Sequence, residues 1–228
     1  MARQVMTSAP NQLANRIFAP IASTYERWAA ILSLGQDPRW RRAMVDALAL
    51  GPGSKVLDAA AGTGSITRLL QAREFEVIAV DLTREMITRH PGPDRLLARA
   101  EELPFADESF DGVTFGYLLR YVEDPVDCLI ELQRVLKSGG HLGMLEFGLP
   151  SGIWNRLWAT YSSVLLPAAG RTIGRGWHEV GQFLKGSIET FHHNHPDIEA
   201  MWRAAGLVDV RVKRLSLGGG LVVWARKP

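Results

Sequence analysis

The chain is 228 residues long, 46% hydrophobic and 22% charged, with 26 Lys and Arg against 24 Asp and Glu. This composition supports a full buried core and excludes a largely disordered chain, and the length suits a single α/β unit carrying an insertion. The net charge is +2, and the basic residues are scattered outside Arg39-Trp40-Arg41-Arg42 and Arg211 to Arg214, which excludes a nucleic-acid partner.

In chain order, residues 1 to 12 show no periodicity and are expected to fray. From Asn15 to Leu50 the pattern is helical. Ile17, Ile21, Tyr25 and Trp28 share one face, Gly35-Gln36-Asp37-Pro38 reads as a turn, and Trp40, Met44 and Leu48 continue the apolar stripe. Residues 1–50 therefore read as an N-terminal helical cap and 51–228 as the main domain, together one structural unit. Gly51-Pro52-Gly53 leads into a β-prone strand, Lys55 to Leu57, that Asp58 ends. Gly62 and Gly64 follow, then a helix from Ser65 to Gln71 and a strand from Phe75 to Val80 terminating in Asp81. Glycines allow positive φ and close approach of a ligand to backbone, and a helix start offers free N–H groups. An acid about twenty residues further on can accept hydrogen bonds from ribose hydroxyls. The segment thus reads as a nucleotide-type cofactor cradle, although Ala60 breaks the full G-x-G-x-x-G of dinucleotide folds.

Alternation continues with a helix at Arg84 to Arg89, a stop at Pro91-Gly92-Pro93, and a strand at Leu96 to Ala98. Glu101 to Phe105 reads as a loop and Phe110 to Phe115 as a strand. A helix from Pro125 to Leu136 is expected to end at Gly139-Gly140, ahead of a strand at His141 to Phe147. An insertion at about 151–195 breaks the pattern, with Trp154, Trp158, Tyr161, Val164, Leu165, Leu166 and Ile173 among few charges. It reads either as a helix packed on the core or as an apolar lid over a greasy substrate. A helix at Pro196 to Ala205 and strands at Leu207 to Arg214 and Gly220 to Ala225 complete a Rossmann-like, doubly wound seven-stranded α/β sheet.

Other residues invite chemistry and mostly have plainer readings. Cys128 is the only cysteine, so it reads as a small buried residue and no cysteine-based metal site or internal disulfide is expected. His192-His193-Asn194-His195 reads as a solvated loop or helix start rather than a metal site. His178 reads as packing, with general base as the functional alternative, and Glu146 lies at the sheet edge that faces a substrate. With no leader-like segment and no apolar run of about eighteen residues, a cytoplasmic, non-spanning protein is expected.

The D-x-A-x-G-T-G form at Asp58 to Gly64 resembles the first motif of class I S-adenosylmethionine (SAM) methyltransferases. From about Ala19 onward the chain resembles the ubiquinone/menaquinone biosynthesis C-methyltransferases, the UbiE-like family. The likeness is carried by Ala22-Ser-Thr-Tyr25, Leu32-Ser-Leu-Gly35 with Trp40-Arg41-Arg42, Val56 to Thr67, Arg134-Val-Leu-Lys137 and Leu166-Pro-Ala-Ala-Gly170. The resemblance implies SAM as cofactor, no metal, and methyl transfer to a ring carbon of a prenylated quinol such as demethylmenaquinol. It implies SAM contacts from Asp58, Ala60, Gly62, Thr63, Gly64, Asp81, Leu82, Arg99, Ala100 and Gly116. Arg120 is implied to stabilise the developing oxyanion or help a water take the proton, and Tyr25 to line the quinol pocket. A tailed acceptor implies peripheral membrane contact, and a homodimer is compatible with the family. Tyr117-Leu118-Leu119-Arg120-Tyr121 departs from the family's F-G-L-R-N, Gly181 replaces a tyrosine, and Glu189 stands where arginine is usual. These substrate-side departures keep two alternatives open: another acceptor such as a phenol, amine or lipid headgroup, or a non-catalytic SAM-binding subunit of a quinone-synthesis complex.

Overall fold

A computed structural model of the chain describes residues 8–228. The expectation for residues 1–7 lies outside them. From Ser8 onward the chain is helical rather than frayed: the Ser8 hydroxyl accepts the Asn11 N–H and Pro10 sits in the first turn of α1, Ala9–Phe18. Helices α2, Tyr25–Leu32, and α3, Gln36–Asp46, follow. The expected turn at 35–38 shrinks to Gly35 at φ +72°, so Asp37 and Pro38 already belong to the first turn of α3.

Strand β1, Lys55–Ala59, precedes α4, Ser65–Gln71, β2, Glu76–Asp81, and α5, Arg84–Ile87. Strands β3, Arg95–Leu97, and β4, Phe110–Gly116, lead to α6, Pro125–Arg134, and β5, Leu136–Phe147. The insertion comprises α7, Gly152–Thr160, a π-helical turn at Tyr161–Leu165, α8, Leu166–Ile173, and the long α9, Arg175–Asn194. Helix α10, Ile198–Ala204, and strands β6, Val208–Leu215, and β7, Gly220–Arg226, end the chain. Helix α6 stops at Arg134, and Gly139-Gly140 lies inside β5, where the register against β4 shifts between Phe110 and Gly112. The histidine run forms the last turn of α9, where His192 Nε2 lies 2.8 Å from the Phe147 carbonyl.

The seven strands run β3-β2-β1-β4-β5-β7-β6. Pairs among β1 to β5 are parallel, and β7 is antiparallel to both its neighbours. Period-two alternation sends Leu57, Val113, Phe115, Met144 and Val223 to one face, against Leu129 and Leu132 of α6 and Trp202 of α10. Val56, Val77, Leu145 and Val222 point the other way, onto Met44 of α3, Leu48 just beyond its end, and Ile66 and Leu70 of α4. Each such side chain contributes about 1.5–3 kcal/mol on burial, so both faces of the sheet anchor helices. The chain order reverses between β1 and β4, which opens a crevice beyond their C-terminal ends, where open α/β sheets bind ligands.

The insertion is a helical hairpin over that crevice. A Cβ on Gly170 of α8 would stand 2.4 Å from the Trp177 carbonyl, and one on Gly181 of α9 would stand 2.8 Å from Pro167 Cα. Bare backbone at both positions therefore lets α8 and α9 touch. This accounts physically for the glycine at 181.

Candidate active site

A cavity lies at the β1–β4 switch point. Of the residues expected around the cofactor, Ala60, Gly62, Thr63, Asp81, Leu82, Ala100 and Gly116 line it. Asp81 ends β2 and clamps the glycine loop: its Oδ2 accepts the Gly62 N–H at 2.8 Å and its Oδ1 the Thr83 N–H at 2.7 Å. Burial pushes its carboxyl up to about 6 despite those hydrogen bonds. Gly62 has φ +59°, and a Cβ there would meet nothing within 4 Å, so bare backbone is open at the loop. An open glycine backbone, a strand-end carboxylate able to receive ribose hydroxyls, and the small apolar Ala98 and Ala100 together fit SAM.

Asp58, Gly64 and Arg99 are not on the wall of this cavity. Strand β1 runs on to Ala59, so Asp58 stays inside the sheet rather than at its end. There it is fully buried and accepts hydrogen bonds from Thr67 Oγ1 at 2.6 Å and Thr114 Oγ1 at 3.2 Å. Burial outweighs those bonds and raises its carboxyl to about 6. Gly64, at φ +90°, backs onto His90, whose ring would lie 2.9 Å from a Cβ. Arg99 pairs with Glu101 at 3.5 Å.

The N-terminal helices close the cradle. Thr63 donates to Glu26 Oε1 at 2.6 Å, and Arg68 donates to the other Glu26 oxygen, which ties α2 to the glycine loop. Burial works against ionisation of Glu26, but hydrogen bonds from Arg68 and Thr63 hold its carboxyl below the usual value. From α1, Asn11 Nδ2 donates to Glu101 Oε1 at 2.9 Å and to the Tyr121 carbonyl at 3.0 Å. Sequence reasoning missed Asn11. The Ser8 and Pro10 helix-start signal was there to find it.

A second and larger cavity lies under the insertion and is walled largely by Trp154, Leu157, Trp158, Leu166, Trp177 and Phe183. Phe18, Tyr25, Tyr117 and Tyr121 line both cavities. Tyr25 stacks on Trp177 at 6.3 Å and 14°, and Phe18 meets Tyr25 and Tyr121 edge-on. These rings form an aromatic partition between the two compartments. Burial raises the hydroxyls of Tyr25, Tyr117 and Tyr121 above the ordinary tyrosine value, so they remain protonated.

Arg120 lines the second cavity with its side chain 2% exposed. It donates through Nε to Glu146 Oε1 at 3.0 Å and through Nη1 to Ser187 at 2.7 Å. Glu146 is thus drawn to Arg120 rather than to the cavity wall, and its Oε2 is buried without a hydrogen-bond partner. His178 Nδ1 lies 3.0 Å from the Pro167 carbonyl, bridging α8 and α9 away from the wall.

The largest omission in the sequence reading is on α3. Asp37 and Arg41, one helical turn apart, are both buried, although the sequence places them in a turn and in a basic run. Arg41 Nε donates to Asp37 Oδ2 at 2.7 Å and the Tyr117 hydroxyl donates to Oδ1 at 2.7 Å. Asp37 lines the second cavity, Arg41 the first, and Tyr117 both. Among the described residues, no group of three or more His, Cys, Asp or Glu is arranged to hold a metal ion. No helix among them is long and apolar enough to cross a membrane.

The model of the ubiE/COQ5 methyltransferase family matches residues 6–227. The chain is 37% identical over 235 residues to the demethylmenaquinone methyltransferase of Renibacterium salmoninarum, covering 99% of this chain and 95% of that protein. It is 36% identical over 222 residues to the ubiquinone/menaquinone biosynthesis C-methyltransferase UbiE of Desulfotalea psychrophila, covering 93% and 89%. Among solved structures, a SAM-dependent methyltransferase from Thermotoga maritima has the same fold, with a TM-score of 0.66 at 20% identity over 94% of this chain and 99% of that one.

Proposed function

Because the chain belongs to the ubiE/COQ5 methyltransferase family and is a SAM-dependent methyltransferase, we propose that its acceptor is a prenylated quinol such as demethylmenaquinol, methylated on a ring carbon. The observation that carries this acceptor is the cavity walled by aromatic and aliphatic side chains under the insertion, which shares an aromatic partition with the cofactor cavity. A quinol ring at the partition leaves room beneath the insertion for an isoprenoid tail. SAM supplies an electrophilic methyl group. The chain's own residues align the ring against the partition and exclude water around it. Arg120 is the one cation among the described residues of this wall, suited to stabilising charge that develops on a ring oxygen.

A tailed acceptor resides in a bilayer, and the insertion offers a face for peripheral contact. Ile153, Trp154, Leu157, Val164 and Leu165 are exposed there, with Ile153 at 69%. Residues 147–178 hold Arg156, Arg171 and Arg175 but no Asp or Glu, a balance that favours anionic lipid. Co-sedimentation with anionic but not zwitterionic vesicles is expected, and absence from both pellets removes this contact.

The acceptor is tested by incubating the purified protein with methyl-labelled SAM and demethylmenaquinol and analysing the products by mass spectrometry. Label on a ring carbon of the quinol supports the reading. An unlabelled quinol, with label entering a phenol oxygen, amine or lipid headgroup from a cell extract, refutes it.

A further inference from the structure

A phenolic ring carbon becomes a good nucleophile only when a neighbouring hydroxyl loses its proton, so the acceptor side needs a base within reach of the partition. We propose that Asp37 accepts this proton, held in place by the positioning residues Tyr117 and Arg41. The inference rests on the reading above that the acceptor carries a ring hydroxyl.

Three observations lead there. Among the described residues lining the second cavity, Asp37 is the only carboxylate, and no imidazole lines it. Glu146 is drawn away by Arg120, His178 is spent on Pro167, and the tyrosines of the partition are held protonated. The Asp37 carboxylate is also fixed on both oxygens, by the Tyr117 hydroxyl and by Arg41 Nε, each at 2.7 Å. Each oxygen keeps a further lone pair for a third donor. Finally, the positioning group is itself rigid. Tyr117 has φ +59°, its ring stacks on Phe147 at 4.5 Å, and Arg41 lies 5.5 Å over the ring. A non-glycine residue at positive φ costs about 1–3 kcal/mol and persists where its surroundings impose it, as they do here between the two cavities.

The step balances without another reactant. The acceptor O–H bond breaks, its proton goes to Asp37, and its electron pair moves into the ring. The ring carbon then forms a bond to the methyl group, while the pair of the broken S–CH3 bond stays on sulfur. Loss of the proton on that carbon to water restores the aromatic ring, and Asp37 returns its proton to the ring oxygen. The net release is one proton.

The test compares wild type with Asp37→Asn and Tyr117→Phe on demethylnaphthoquinol and on ring-fluorinated naphthols of rising hydroxyl acidity. For the quinol, Asp37→Asn should lower kcat by about 10²–10³-fold, with acceptor KM and calorimetric SAM affinity moving less than about threefold. The wild-type to variant ratio should shrink to about tenfold or less for acceptors already ionised at the assay pH, because they need no base. Tyr117→Phe keeps the carboxylate and should cost only about tenfold. A ratio that stays constant across the acidity series overturns the proposal, since a purely structural role predicts equal loss for every acceptor. If Asp37→Asn fails to fold because Arg41 is left unpaired, Asp37→Glu, which keeps the charge and moves it by one methylene, reads the same ratio. Wild-type inactivity on every phenol overturns both the acceptor reading and this inference, whereas wild-type activity with a constant ratio overturns only the inference.

Discussion

Asp58→Asn separates a ligand contact from a structural carboxyl and gives opposite answers in two assays. Asp58 is fully buried under Thr67 and Thr114, off the cavity wall, so the substitution should move calorimetric SAM affinity by less than about threefold. Its effect should appear in the pH dependence of stability. The carboxyl titrates at about 6 in the folded chain against an ordinary 3.8. At about 1.36 kcal/mol per unit, that difference amounts to about 3 kcal/mol. The fold favours the neutral acid, so this stability is fully present below 3.8 and is lost as pH rises through about 6. Asparagine has nearly the same shape, still accepts from a threonine hydroxyl, and never ionises. Measured by urea denaturation of the apoprotein, the variant should therefore exceed wild type by up to about 3 kcal/mol near neutral pH, and by almost nothing at about pH 3. Asp81 also titrates at about 6, but it is present in both proteins and cancels from the difference. A SAM affinity lowered more than about tenfold, or parallel pH profiles for the two proteins, would refute the reasoning.

Other perturbations follow from the same contacts. Asp81→Ala removes the acceptor for the Gly62 and Thr83 amides as well as a charged partner for ribose hydroxyls, so SAM affinity should fall about 10- to 100-fold. An unchanged calorimetric titration would remove Asp81 from the site. Glu146→Gln leaves Arg120 buried without its counter-charge and should cost about 3–5 kcal/mol in urea unfolding. A loss under about 1 kcal/mol would show that water or another group compensates the guanidinium. Gly170→Ala places a methyl 2.4 Å from the Trp177 carbonyl, forcing α8 from α9 at a cost of about 1–3 kcal/mol. Acceptor KM should rise while SAM affinity holds; a rise in neither would mean that the hairpin does not shape the acceptor cavity.

The sequence alone determined the strand and helix alternation, the glycine loop with Asp81, and the membership that the family match later showed. These are local signals. Period-two apolar runs, turn residues and a capped helix start act within about ten residues, and the loop motif is contiguous. The α1 start was equally local but short, and its Ser8 and Pro10 signal went unread. What tertiary structure decided is which side chains meet across elements. Asp58 read as a strand end until pairing on both sides carried β1 one residue further and turned its carboxyl inward. Arg39-Trp40-Arg41-Arg42 looks uniformly basic along the chain, yet helical rotation and the packing of α3 bury Arg41 beside Asp37 and leave Arg39 exposed. The aromatic partition draws Phe18, Tyr25, Tyr117 and Tyr121 from segments separated by up to about a hundred residues, and the Arg120–Glu146 pair joins a short helical turn to β5. No periodicity encodes such meetings. They depend on the order of strands in the sheet and on how closely each helix approaches it, and burial then decides which charged groups must find partners.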